Sequence, residues 1–166
     1  MLTQLREQFG YNRWANLRLL DACGALSRDD LVRELGGSFP SVWLTLTHLY
    51  GGENTWLARW QGTATGRKPE LDGIDTVAAL RGKWDDLWRQ QCELLEATTD
   101  ADVRRVIPIV LASGKRLDQQ LGATMRHCLN HSTYHRGQVT NFLRMLGAPT
   151  VPLDLVLYYH EYPPAD

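Results

Sequence analysis

An apolar stripe made by Leu117, Leu121, Cys128, Ser132, Val139, Phe142 and Leu146 marks a helical segment from about Asp118 to Leu146, and histidines interrupt it. At 100° per residue His135 falls near the middle of the stripe and His131 at its edge, so both look inward. Imidazole nitrogens inside a core need hydrogen bonds or a ligand, because an unpartnered buried polar group is costly. The segment must therefore pack on other helices that bring partners for its histidines. Few folds meet that demand.

Three further long segments carry helical periodicity. The first runs from about Leu2 to Ala25, with Leu5, Phe9, Asn12, Asn16, Leu19 and Cys23 on one face. Ser27 reads as the cap of a short helix through Glu34, closed by Gly36-Gly37. The second long segment spans about Ser41 to Trp60, with Val42, Leu46, Leu49, Trp56 and Trp60 along a face; Gly62 to Gly73 follows as a loop. Asp75 is the expected cap of the third, whose stripe is Val77, Leu80, Trp84, Leu87, Trp88, Leu94 and Leu95. Val103 to Leu111 is β-branched and contains Pro108, which suits a short edge strand; a Ser113-Gly114 turn would pair it with Lys115–Leu117. The last helix stops at Gly147, before Pro149, and the aromatic tail Val151–Tyr162 is expected to pack back on the helices. The fold class is all-α: one four-helix-bundle domain over residues 1–166, with a small hairpin or extended segment in the crossover before the last helix.

Composition narrows the partners. Formal net charge is -1, with no basic block or stripe, which argues against a nucleic-acid backbone. No apolar run is long enough to cross a bilayer, and the first residues lack the pattern of a signal peptide. The three cysteines, Cys23, Cys92 and Cys128, have no C-x-x-C spacing and suit a reducing compartment, so a cytoplasmic location is expected. No P-loop, G-x-S-x-G elbow or G-x-G-x-x-G is present.

The histidines carry the chemistry. His131 and His135 are i, i+4 neighbours that can share one ion, or they can be core histidines bonded to protein groups. A catalytic site of this kind needs a third ligand from elsewhere. His48, on a seam of small residues with Ser41, Thr45, Gly52 and Thr55, is one candidate; His160 in the tail reads as a surface residue. His127 lies about 12 Å along the axis from His135 and cannot share its ion, so it reads as a flanking or interface residue. Glu53 falls among apolar residues and needs a partner, for which Arg136 is the guess; Asn12 and Asn16 either lock helices together or line a cleft. Cys128 is read as core packing, with a fourth-ligand role as the alternative.

These residues form recognisable motifs. Tyr11-Asn12-Arg13-Trp14-Ala15-Asn16, His48-Leu49-Tyr50-Gly51-Gly52-Glu53 with Trp56-Leu57, Asn130-His131 through Tyr134-His135-Arg136-Gly137-Gln138, and Leu146-Gly147-Ala148-Pro149 together resemble the DinB/YfiT-type metalloenzyme family over nearly the whole chain. The resemblance implies an up-down-down-up four-helix bundle, frequently a homodimer, with a divalent metal on three histidines. Carried onto this sequence, the ligands are His48, His131 and His135. Zinc or nickel is the expected metal, with iron also suited to three imidazoles. Known relatives include transferases and isomerases that use low-molecular-weight thiols, while many members have no assigned reaction. The family name refers to induction by DNA damage and implies no polymerase activity.

The function expected is that of a metal-dependent enzyme that activates a thiol or water nucleophile against a small electrophilic substrate, as an S-transferase or a hydrolase. Tyr134, Arg136 and Gln138 would then orient substrate or support the ligands, or in the case of Tyr134 and Gln138 form surface contacts. The alternative is a non-enzymatic, metal-stabilised dimer acting as a ligand-binding or stress-response module.

Overall fold

The computed structural model describes residues 1–64, 71, 73–110 and 114–163. Its elements are α1 (Leu2–Gly24), α2 (Arg28–Val32), α3 (Val42–Gln61), α4 (Val77–Ala97), β1 (Val106–Val110), β2 (Arg116–Gln120), α5 (Leu121–Met145) and α6 (Leu155–Glu161). A 3-10 turn at Asp102–Arg104 leads into β1.

Side-chain contacts fix the helix directions. Arg6 near the start of α1 donates to Leu95 O near the end of α4 (2.8 Å), and Arg81 near the start of α4 pairs with Asp21, so these helices are antiparallel. Trp60 at the end of α3 donates to Thr124 Oγ1 at the start of α5 (3.0 Å), while Glu53 accepts from Ser132 (2.8 Å); these too are antiparallel. Phe9 meets Trp60 edge-on (5.9 Å) and Asn16 reaches back to Glu53 (2.9 Å), which sets α1 against α3. The order is up-down-down-up, with α1 and α5 in one direction and α3 and α4 in the other. This is an all-α four-helix bundle with a two-stranded hairpin in the last crossover.

The expected faces pack as the periodicity requires. Leu5, Phe9, Leu19 and Cys23 of α1 join Val42, Leu46 and Leu49 of α3, Leu80 and Leu87 of α4, and Val139 and Leu143 of α5 in the buried core. Each such side chain contributes about 1.5–3 kcal/mol on leaving water. The tail folds back as α6: Tyr158 lies edge-on to Tyr11 and Trp14 (both 5.9 Å), and Trp14 donates to Glu161 (2.8 Å).

Three boundaries differ from the sequence reading. Asp118–Gln120 belong to β2, paired with Pro108, Ile107 and Val106, and α5 begins at Leu121, whose N–H donates to Arg105 O (2.8 Å). The backbone of those three residues serves the hairpin ladder and cannot also start a helix. Thr76 rather than Asp75 caps α4, its hydroxyl accepting from Ala79 N–H (3.2 Å), while the Asp75 carbonyl accepts from Arg28. Helix α2 stops at Val32, because Arg33 turns to an extended conformation (φ -56°, ψ 131°). Ser113 of the expected turn, and residues 65–70 and 72 of the expected loop, lie outside the described residues. Among the described residues no helix is long and apolar enough to cross a membrane.

Candidate metal centre

Helices α3 and α5 bring the three histidines together. His48 Nε2 lies 3.1 Å from His131 Nε2 and 3.1 Å from His135 Nε2. One ring nitrogen from each of the three lies within 4.8 Å of the other two. Metal–nitrogen bonds of about 2.0–2.1 Å at tetrahedral angles set ligand nitrogens about 3.3 Å apart, close to the two separations measured from His48. The donor set suits a divalent transition metal.

The surroundings prepare those nitrogens. Gln138, one turn beyond His135, places Oε1 at 2.7 Å from His135 Nδ1 and takes that N–H. The His135 lone pair is thereby left on Nε2, the atom facing His48. Burial, and then the neighbouring imidazoles of His135, His48 and His127, push the pKa of His131 down to about 4, which keeps its ring neutral at ordinary pH. Phe39 stacks on His48 with centroids 3.8 Å apart and meets His135 edge-on at 5.7 Å, fixing both rings from the side of the α2–α3 connection.

Gly52 leaves room for the His131 ring against α3. A Cβ there would lie 2.9 Å from His131 Cε1 and 3.3 Å from its Nδ1. The sequence places this glycine on the seam of small residues beside His48; its neighbour across the interface is a second of the three histidines.

Behind the histidines lies a polar cluster, buried but for Thr133 at its edge, built from all four long helices. Glu53 Oε1 accepts from Asn12 Nδ2 (2.8 Å), Asn16 Nδ2 (2.9 Å) and Ser132 Oγ (2.8 Å), and Oε2 accepts from Trp84 Nε1 (3.1 Å). Arg136 Nη1 donates to Asn12 Oδ1 (2.5 Å) and Asn16 Oδ1 (2.9 Å), and Nη2 to Thr133 (2.8 Å). Asn12 and Asn16 therefore lock helices together. Arg136 is 2% exposed and committed to this cluster, so it supports the bundle and does not orient substrate.

In front of the histidines the α3 face borders a cleft of about 330 Å³, with Phe39, His48, Gly52, Thr55, Trp56 and Arg59 among its walls. That volume suits a small organic molecule. No motif contains Arg59 or Phe39; Arg59 lies eleven residues from His48, three helical turns on, so a helical wheel places it on the same face. Phe39 sits in an irregular segment with no periodic signal.

The remaining candidates fall outside the cluster. His127 is exposed, edge-on to Trp56 at 5.1 Å, and His160 is exposed on α6. Tyr134 is 65% exposed with its ring edge-on to His135 at 5.1 Å. Cys128 is buried, and desolvation, followed by the nearby Glu53 charge, raises its thiol pKa well above the ordinary value. It is core packing, as its place on the stripe suggested.

A sequence profile of the DinB family matches residues 1–165 of this chain. The chain belongs to the DinB family. It is similar to Protein DinB of Bacillus subtilis (strain 168), at 26% identity over 160 residues covering 90% of each sequence. Family membership accords with the four-helix bundle described above and with its three-histidine cluster.

Proposed function

We propose that His48, His131 and His135 hold one divalent transition metal, with zinc or nickel the leading candidates and iron the next, and that this member of the DinB family is a metal-dependent enzyme. The observation that supports this reading is the convergence of three imidazole nitrogens beside an open cleft. A closed structural site has four protein ligands, whereas three leave room for a reacting group. When bound, such a metal supplies Lewis acidity that lowers the pKa of a thiol or water nucleophile.

The chain's own residues do the rest. Gln138 holds the His135 proton at Nδ1, and Phe39 keeps the His48 ring in plane. The buried Glu53 and Arg136 cluster keeps α3 and α5 in register, so that the three rings stay converged. Gly51, Gly52 and Thr55 open space along α3, while Trp56 and Leu71 give the cleft apolar walls that bind the body of a small electrophile and exclude water. The reaction class proposed is attack by a low-molecular-weight thiol, or by water, on that electrophile. A homodimer goes with this reading from the family resemblance.

The first test is metal content by mass spectrometry on untagged protein, beside His48→Ala, His131→Ala and His135→Ala. About one transition metal per chain, lost in each variant with helicity retained, supports the reading. Metal-loaded protein is then assayed for thiol-dependent loss of a chlorinated nitroarene, and for ester hydrolysis without thiol. No metal after reloading with zinc or nickel would overturn the proposal.

A further inference from the structure

The cleft has a cationic end that the three histidines do not use. Arg59 lies on the same face of α3 as His48, and its guanidinium carbon sits 4.5 Å from the centroid of the Trp56 ring. Trp56 precedes Arg59 by one turn, so the guanidinium leans back along the helix toward His48, as helical side chains do. With Trp56 eight residues beyond His48, the charge stands about 12 Å along the axis from the histidines. Arg59 Nη2 also donates to Val110 O of the hairpin at 3.2 Å, which fixes the guanidinium from a second side.

No carboxylate pairs with Arg59 among the described residues, and burial draws its pKa below the ordinary value with no acid to oppose the shift. By contrast Arg13 pairs with Asp85, Arg18 with Glu161 and Arg81 with Asp21. A half-buried guanidinium, stacked on an indole and tethered by a single carbonyl, keeps several N–H donors for a guest. Its planar fork matches an oxyanion, and the partial exclusion of water by Trp56 strengthens that pairing.

We propose that Arg59 anchors an oxyanion, a carboxylate or a phosphate, carried by the substrate at the end of the cleft remote from the histidines. The ligand would be elongated, with an apolar body lying along Gly52, Thr55 and Trp56 and its reacting end at the histidines. This assignment rests on the proposed reading of the cleft as the substrate site, but its test does not depend on a metal or on turnover.

Trp56 provides the signal. Binding of 4-phenylbutyrate, of its neutral analogue 4-phenylbutyramide and of phenyl phosphate is followed by tryptophan fluorescence and checked by calorimetry. The titrations use zinc-loaded and chelator-stripped protein, for wild type, Arg59→Gln and Arg59→Lys. The expected result is that an anion binds about tenfold more tightly than the amide in both metal states, that Arg59→Gln removes this preference, and that Arg59→Lys restores part of it. A preference for 4-phenylbutyrate over phenyl phosphate assigns a carboxylate; the reverse assigns a phosphate. Equal affinities of anion and amide, a preference that survives Arg59→Gln, or no binding of any probe at millimolar concentration would each overturn the proposal. A metal-free protein that retains the anion preference would separate failure of the metal reading from failure of this one.

Discussion

Glu53 and Arg136 are opposite charges buried in one core, and they are joined through the carboxamides of Asn12 and Asn16. Each amide donates from Nδ2 to Glu53 and accepts at Oδ1 from Arg136. Both amides thus have their polar ends pointed along the field between the charges. Ser132 and Trp84 complete the shell of the carboxylate. Because α1, α3, α4 and α5 all contribute, the cluster fixes helix register in a way that apolar packing alone does not.

Breaking this cluster at one member should therefore cost more than its size suggests. Glu53→Ala leaves the Arg136 charge buried without its counter-charge, and a loss of about 3–5 kcal/mol in urea unfolding is expected. Asn16→Ala removes one of the two bridges and should cost about 1–3 kcal/mol. Losses under about 0.5 kcal/mol for both, the range of ordinary surface substitutions, would show that the cluster is not holding the helices.

Gly52→Ala separates metal binding from stability. In a helix interior alanine is favoured over glycine by about 1 kcal/mol, which offsets part of any clash. The new Cβ, however, would meet the His131 ring at 2.9 Å, so the ring must leave the position in which it faces His48. The expected outcome is a metal affinity at least roughly tenfold weaker, measured by chelator competition, with metal-free stability changed by less than about 1 kcal/mol. Unchanged affinity would mean that His131 is not needed where the structure places it.

Much of this architecture is legible in the sequence, and the exceptions have physical causes. The α1 stripe through Asn12 and Asn16, and the inward histidines of α5, follow from rotation per residue alone. His48 does not, since periodicity on α3 only places it on a seam of small residues; the family resemblance is what implies it as a ligand. The sequence suggests Arg136 as the partner of Glu53 and leaves Asn12 and Asn16 between locking helices and lining a cleft; nothing in it links the two amides to that pair. Pairwise reasoning stops there, because four groups from three helices must be satisfied together. The helical spacing of Leu117 and Leu121 extends the helix pattern over Asp118–Gln120; the hairpin ladder, a non-local pairing, claims those residues first.

Gln138 offers a test of ligand preparation. Its Oε1 takes the Nδ1 proton of His135, which directs the opposite lone pair toward His48 and His131. Gln138→Leu removes the acceptor while keeping the bulk, and a loss of about 10–100-fold in metal affinity is expected. Gln138→Glu keeps an acceptor at the same reach and should restore most of the binding. If both variants bind as wild type does, the hydrogen bond has no part in preparing the site.

Acid should weaken the metal-free fold through His131. Burial and the adjacent imidazoles bring its pKa down to about 4, against an ordinary value of 6.5 for the unfolded chain. Between those values the unfolded state binds a proton that the folded state refuses, so stability falls as pH drops from 6.5 toward 4 and is flat with respect to this group outside that window. The neutral ring is the form that can offer a lone pair to a metal, so the same depression favours binding near neutrality. The check is the urea midpoint of chelator-stripped protein from about pH 4 to about pH 8, for wild type and His131→Asn. Wild type should lose more stability than the variant across this range, with the two curves running parallel above pH 7. Parallel curves throughout would place the His131 pKa near its ordinary value and remove the electrostatic coupling among the three rings.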